Sequence, residues 1–66
     1  MAAVTFLSGL GAEVVLNLDN ITMAEKSKSA KSINLTFGKD HTHINLQTYE
    51  ERDELFDKIK KAMGVD

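Results

Sequence analysis

The two histidines of the chain lie two residues apart, in the segment KDHTHI at residues 39–44. On a β-strand, residues at i and i+2 point to the same side about 7 Å apart, so the imidazoles of His41 and His43 can reach one zinc or copper ion. Two ligands do not make a site, and a third would have to come from Asp40 or Glu13. We therefore interpret the histidines as part of a solvated strand face and expect neither a metal nor a cofactor.

The carboxylates do not predict a catalytic site either. Four of them, Glu50, Glu51, Asp53 and Glu54, lie where a helix begins, and the helix dipole accounts for negative charge there. Neither histidine neighbours a serine in a nucleophile motif, and a chain of 66 residues has little room for a deep pocket. We expect a protein that is not an enzyme.

Length and composition favour association with a partner. A single domain covering residues 1–66 buries only about 60% of the surface that its unfolded chain exposes, and the sequence has no cysteine to add a disulfide. The net charge of −2 argues against a dominant attraction to nucleic acid or anionic membranes and leaves only a local basic patch as a way to bind them. The apolar N-terminal run lacks a basic flank and is too short for a membrane span. We predict a cytoplasmic protein, most simply a homodimer.

Four strands are predicted: a short apolar run at residues 4–7, followed by three segments that alternate apolar and polar residues with the period of two typical of half-buried strands. The glycine-containing segments SGLG and GKD predict tight turns after the first and third of them. The polar segment EKSKSAKS at residues 25–32 predicts a mobile loop after the second. The predicted strands are residues 4–7, residues 13–23 with a bulge or turn at Asp19 and Asn20, residues 32–37 and residues 41–47.

A helix is predicted at the C-terminal end of the chain. Thr48 and Glu51 have the spacing of a capping box, so the helix should begin at Tyr49, and Gly64 is placed to end it. One apolar stripe is expected to be covered by the sheet; it contains Leu55, Phe56, Ile59, Ala62 and Met63.

These elements predict an α+β fold, ββββα, in which a four-stranded antiparallel meander carries the C-terminal helix on one face. The predicted core face of the sheet holds Leu16, Leu18, Ile33, Leu35, Phe37, Ile44 and Leu46.

The other face of such a sheet is left open. It is expected to present polar, almost uncharged side chains, and we predict that Asn34, Thr36, His43 and Asn45 bind a protein partner there, with Phe6 as an anchor. The edges of the sheet carry no proline, which leaves them available for pairing with another chain. The predicted function is a small non-catalytic adaptor module that binds through its sheet face or edge.

The alternative is a single-stranded nucleic-acid-binding ββββα protein. Lys26, Lys28, Lys31 and Lys39 flank the third predicted strand and would supply the phosphate contacts. Such proteins also stack bases on aromatic rings at about 1–3 kcal/mol per base. The chain has four aromatic residues, and only Phe6 is expected to reach the open face.

Two families resemble this pattern. The segments FLSGLGAEVVLNLDNI, SINLTFGKD and TYEERDELFDKI are similar to the small FlbD-type flagellar proteins. Residues 18–62 resemble the C-terminal part of pleckstrin-homology-like and GRAM domains, although a full barrel of that kind needs seven strands. Single-strand-binding coactivator and PUR-type domains are similar in element order. The first two resemblances imply a binding protein without catalysis.

Overall fold

A computed structural model describes residues 3–65, which form five strands and one helix. The class is α+β, as predicted, but the single four-stranded sheet is wrong. β1 and β2 form a two-stranded antiparallel sheet, and the next three strands form a second antiparallel sheet in the order β3-β4-β5. The elements are β1 Ala3–Leu7, β2 Glu13–Asn17, β3 Met23–Lys26, β4 Ser32–Phe37, β5 Asp40–Asn45 and α1 Tyr49–Ala62.

The two sheets separate at a turn after β2. The Asp19 N–H donates to Oδ1 of Asn17 at 2.9 Å, and the Ile21 N–H donates to the carbonyl of Leu18 at 3.2 Å. Both Leu18 and Ile21 are buried. The predicted turn at Asp19 is therefore present, but the residues beyond it pair with β4 instead of continuing β2, because burying two apolar side chains within the turn redirects the chain.

β3 was not predicted as a separate strand. Glu25 and Lys26, predicted to lie in a mobile loop, pair with Asn34 and Ile33 of β4. The connection shortens to residues 27–31. A short edge strand tolerates charged residues because half of its side chains face water.

Glycine conformation supports two of the turns. Gly38 has φ +59° at the first position of the two-residue loop joining β4 and β5, as a type II′ turn requires. Gly11 has φ +80° in the β1–β2 turn, where Ser8 accepts the Gly11 N–H through its carbonyl at 2.9 Å.

The helix begins and ends as predicted. Thr48 Oγ1 accepts the Glu51 N–H at 3.0 Å, which is the first half of the capping box. At the other end Gly64 has φ +81°, and the Val65 N–H donates to the carbonyl of Lys60 at 2.7 Å in a Schellman arrangement. Within residues 3–65 no helix has the length and apolar character to cross a membrane.

The core lies between β4, α1 and the inner side of the β1–β2 hairpin. Ile33 and Leu35 of β4 are both 0% exposed, and Leu55 and Ile59 of α1 are buried with them. The expected burial of Ala62 and Met63 is wrong, because both are exposed on the last turn of α1. The buried residues are Leu18, Ile21, Ile33, Leu35, Leu46, Leu55 and Ile59; Val4, Phe6, Leu16, Ala24, Phe37, Ile44 and Phe56 pack against them half-buried.

Substitution of Ile33 by alanine is expected to lower the free energy of unfolding by about 2–5 kcal/mol, because removal of the buried side chain leaves a cavity. In a domain of this size that loss approaches the whole stability. Val15→Ala, on a strand residue that is 70% exposed, is the control and should cost less than about 1 kcal/mol. Urea unfolding followed by circular dichroism measures both; equal losses would contradict the described core.

Candidate functional site

The outer face of the β3-β4-β5 sheet brings four of the predicted binding residues together. Asn34 lies opposite His43, Thr36 lies opposite His41, and Asn45 lies opposite Ser32. All of these side chains are exposed except those of Thr36 and Ser32, which are half-buried.

Phe6 does not join them on that face. It lies in β1, in the other sheet, and packs half-buried against the core. Its inward position follows from the alternation of β1, in which Val4 and Phe6 face the core while Thr5 and Leu7 face outward.

Among residues 3–65 of one chain, the histidines gain no third ligand. Asp40 lies opposite Phe37 and alternates to the other side of β5 from His41 and His43, while Glu13 lies in β2. No group of three or more His, Asp or Glu side chains in residues 3–65 is placed to hold a metal ion. Nδ1 of His41 lies 3.3 Å from Oγ1 of Thr36, a hydrogen-bond distance.

The outer edge of β5 carries backbone groups that point away from β4. The carbonyl of Asn45 accepts the Gly9 N–H at 2.7 Å, so the outward direction at Asn45 is established by a bond to the hairpin tip. Hydrogen bonding along an antiparallel strand alternates from one residue to the next. The N–H and C=O groups of His43 and His41 therefore point to the same outer edge.

An open groove of about 590 Å³ lies beside this edge, between β5 and the tip of the β1–β2 hairpin. Leu10 at the hairpin tip is 97% exposed and forms part of one wall. The walls are mostly apolar and contain no carboxylate; they are formed by Phe6, Ser8, Gly9, Leu10, Val14, His43, Ile44, Asn45 and Leu46. Three of the predicted binding residues, Phe6, His43 and Asn45, thus share one groove although they come from two sheets.

The edge of β1 is contacted at Thr5 by a side chain of α1. Nζ of Lys58 on α1 donates to the carbonyl of Thr5 at 3.4 Å. A second depression, between β1 and α1, is lined by charged side chains that include Glu13, Glu51 and Glu54. The edge of β5 is therefore the better placed of the two for docking another strand.

The four lysines of the nucleic-acid alternative do not converge. Lys39 lies in the β4–β5 turn, whereas Lys26, Lys28 and Lys31 lie at the opposite end of β4. Nζ of Lys26 is 3.3 Å from the Asp53 carboxylate and 5.5 Å from the centre of the Phe56 ring. Lys31 lies over Tyr49, 5.6 Å from the ring centre.

Arg52 binds the β3–β4 loop to the helix, a role that sequence reasoning missed. Its guanidinium donates to the carbonyls of Ser27 at 2.7 Å and Ala30 at 3.2 Å, and the Tyr49 hydroxyl donates to the carbonyl of Ser29 at 3.3 Å. The Arg52 side chain is only 12% exposed. The sequence signal that could have indicated this role is the spacing of Tyr49 and Arg52, three residues apart at the upper edge of the apolar stripe.

Asp53 completes this contact. It accepts hydrogen bonds from Nε and Nη2 of Arg52 at 3.0 and 2.9 Å. The hydrogen bond from Arg52, with a further contribution from Lys26, holds the pKa of the Asp53 carboxyl below its ordinary value of 3.8.

Comparisons with protein-family models, curated proteins and solved structures found no match to this chain. They do not bear on the similarity to FlbD-type proteins or to pleckstrin-homology-like domains, which stays a prediction.

Gly9→Ala tests the contact that joins the hairpin tip to β5. A Cβ at this position would lie 3.3 Å from the Asn45 carbonyl oxygen, so the hairpin tip and β5 must separate by a few tenths of an ångström. We expect amide hydrogen exchange at residue 9 to accelerate. The Leu46 amide, bonded to the Lys31 carbonyl at 2.7 Å, is the internal control and should keep its protection. Unchanged exchange at residue 9 would contradict the close approach.

Replacement of Arg52 by glutamine is expected to raise the pKa of Asp53 towards 3.8, because the main hydrogen-bond donor is weakened. A carboxyl whose pKa is lower in the folded state stabilises the fold at pH values above its pKa in the unfolded chain. This stabilisation is lost as the pH falls through its pKa in the folded state. The stability difference between wild type and variant should therefore narrow below about pH 3.8. Carboxyl ¹³C NMR titration measures the pKa. Lys60→Gln, with the same charge change, should leave it unaltered.

Proposed function

We propose that this protein is a small non-catalytic interaction module that binds a protein partner by adding an extended segment of that partner to the edge of β5. The observation that carries the proposal is the outward backbone edge at His41 and His43 lying directly beside an apolar groove. Strand addition uses these two features in other proteins: main-chain hydrogen bonds provide affinity, and pockets for alternate side chains provide specificity.

The groove indicates the chemistry of the partner segment. Its apolar walls include Leu10 and Val14, which favour one or two apolar side chains on the side of the segment that faces the core. On the other side, the segment would run beside Asn34 and His43, whose polar groups suit hydroxyl or amide side chains. A segment of alternating apolar and uncharged polar residues fits both sides.

The contacts of Ser8 support a binding role rather than a catalytic one. Ser8 is the hydroxyl residue of the groove, and its Oγ accepts the N–H groups of Leu10 and Ala12, each at 3.3 Å. The hydroxyl thus organises the hairpin tip that forms one wall of the groove.

Nucleic-acid binding is the less favoured function. A basic track needs cations along one surface, and here Lys39 is separated from the other three lysines by the length of β4. Lys26 and Lys31 already contact Asp53 and Tyr49. Phe6 is turned towards the core, so the outer sheet face gains no stacking ring from it.

A displayed library of random extended peptides provides the test. Peptides selected on the wild-type protein should alternate apolar and polar residues and shift amide NMR signals at β5 and the hairpin tip. His43→Pro removes the outward N–H and should weaken peptide binding about tenfold, because one hydrogen bond to the peptide is lost. The fold should survive, since edge strands tolerate proline where the N–H faces solvent. His43→Ala keeps the N–H and is the matched control; it should lose less.

Peptides that shift signals on α1 or on the outer face of the β1–β2 hairpin would contradict the proposed site. Equal binding to His43→Pro and wild type would contradict strand addition itself.

A further inference from the structure

We propose that a second copy of this chain is one partner of the β5 edge, and that the four histidines of the resulting dimer bind one zinc ion between the two copies. The inference rests on the proposed use of the β5 edge for strand addition. It adds a ligand site that residues 3–65 of one chain do not form, because they offer no group of three or more His, Asp or Glu side chains for a metal.

The register of such a dimer follows from the backbone. The outward carbonyl of Asn45 is already bonded to Gly9, so a docked strand gains nothing by reaching that residue. The outward groups left on β5 are those of His41 and His43. The symmetric antiparallel pairing that uses both of them, and avoids Asn45, is centred on Thr42. It places His41 of each copy directly opposite His43 of the other.

This register collects four imidazoles on one exposed surface. Directly opposed residues have Cβ atoms about 5 Å apart, and residues two apart on one strand are separated by about 7 Å. Both histidines are exposed on the outer face of β5. Zinc takes four ligands in a tetrahedral arrangement, and neutral imidazole nitrogen is one of its common ligands.

Thr36 favours one ring nitrogen of His41 as the ligand. Its Oγ1 lies 3.3 Å from Nδ1 of His41, so Nδ1 is engaged within the sheet and Nε2 is left to bind the metal. An outer hydrogen bond of this kind to the second ring nitrogen orients metal-binding histidines in general. Thr36 would be a positioning residue for His41.

The small size of the contact makes the dimer dependent on the metal. Two strand segments of about four residues each bury well under the roughly 1,000 Å² that a stable interface needs. Pairing between Thr42 residues across the two-fold axis adds only a modest cross-strand contribution. Zinc binds the dimer and not the monomer, so its binding free energy shifts the equilibrium towards the dimer.

The experiment is sedimentation velocity on the chain without a polyhistidine tag, with ZnCl₂ added stepwise and then removed with a chelator. The protein should sediment at its monomer mass of 7.3 kDa without zinc and at twice that mass with it. Calorimetry should give one zinc per two chains. Co²⁺ in place of zinc should give the intense visible absorption of a tetrahedral site.

Two single variants, His41→Gln and His43→Gln, should each abolish the zinc-dependent dimer while amide NMR spectra show the fold intact. Glu25→Gln is the control: Glu25 lies on the same face in β3, opposite Asn34, and should dimerise with zinc as the wild type does. Thr36→Val should weaken zinc binding several-fold without abolishing the dimer at high zinc, as expected for a positioning residue.

A chain that stays monomeric at saturating zinc would overturn the inference, as would dimers that persist in both histidine variants. Peptide binding distinguishes failure of the zinc dimer from failure of the proposed function. Selected peptides should still bind His41→Gln, because the backbone edge is intact. Peptide binding without a zinc dimer refutes only the present inference, whereas loss of both in the wild type refutes the use of the β5 edge altogether.

Discussion

The fold depends on the contact between the middle of β4 and one face of α1. Ile33 and Leu35 have no exposed surface, and Leu55 and Ile59 cover them from the helix. Strand pairing on both sides of β4 holds this pair of residues in place, so β3 and β5 are positioned by the same contact. In a chain with so few buried side chains, the free energy available for every other element comes from this one layer.

The core covers only one face of the β3-β4-β5 sheet, and this determines which side chains are exposed on the other face. A strand that buries every second residue must present the others to water, so Asn34 and Thr36 face outward because Ile33 and Leu35 face inward. The β1–β2 hairpin covers the core from beside β5, and a backbone hydrogen bond joins the two near the hairpin tip, between Gly9 and Asn45. The sheet therefore stays open along the rest of β5, which is where the candidate binding surface lies.

Local signals in the sequence were enough to predict the elements that begin or end at a capping residue or a glycine. Thr48 and Gly64 located the helix because capping and left-handed glycine are properties of a few adjacent residues. The division into two sheets was missed, because apolar residues continue on both sides of Asp19 and the pattern does not show which strand each half pairs with.

Contacts between residues distant in the sequence could not be predicted from such local signals. The bond from Arg52 to Ser27 joins residues 25 positions apart, and its acceptor is a backbone carbonyl that any residue type would present. The groove at β5 likewise depends on where Leu10 is carried by the hairpin. Ala62 and Met63 are exposed one turn after Ile59, the last buried residue of α1, so periodicity alone overstates how far the buried face of the helix extends.

The Arg52 contact also has a consequence for how the chain tolerates changes in length. Because one guanidinium spans the carbonyls of Ser27 and Ala30, an inserted residue in that loop would separate its two acceptors. A Cβ at Gly38 would meet no atom within 4 Å, but the φ of +59° still requires glycine in the present two-residue turn. Foreign sequence grafted into this small scaffold therefore has room between β4 and β5 if it replaces that turn as a whole, and the β3–β4 connection must keep its length.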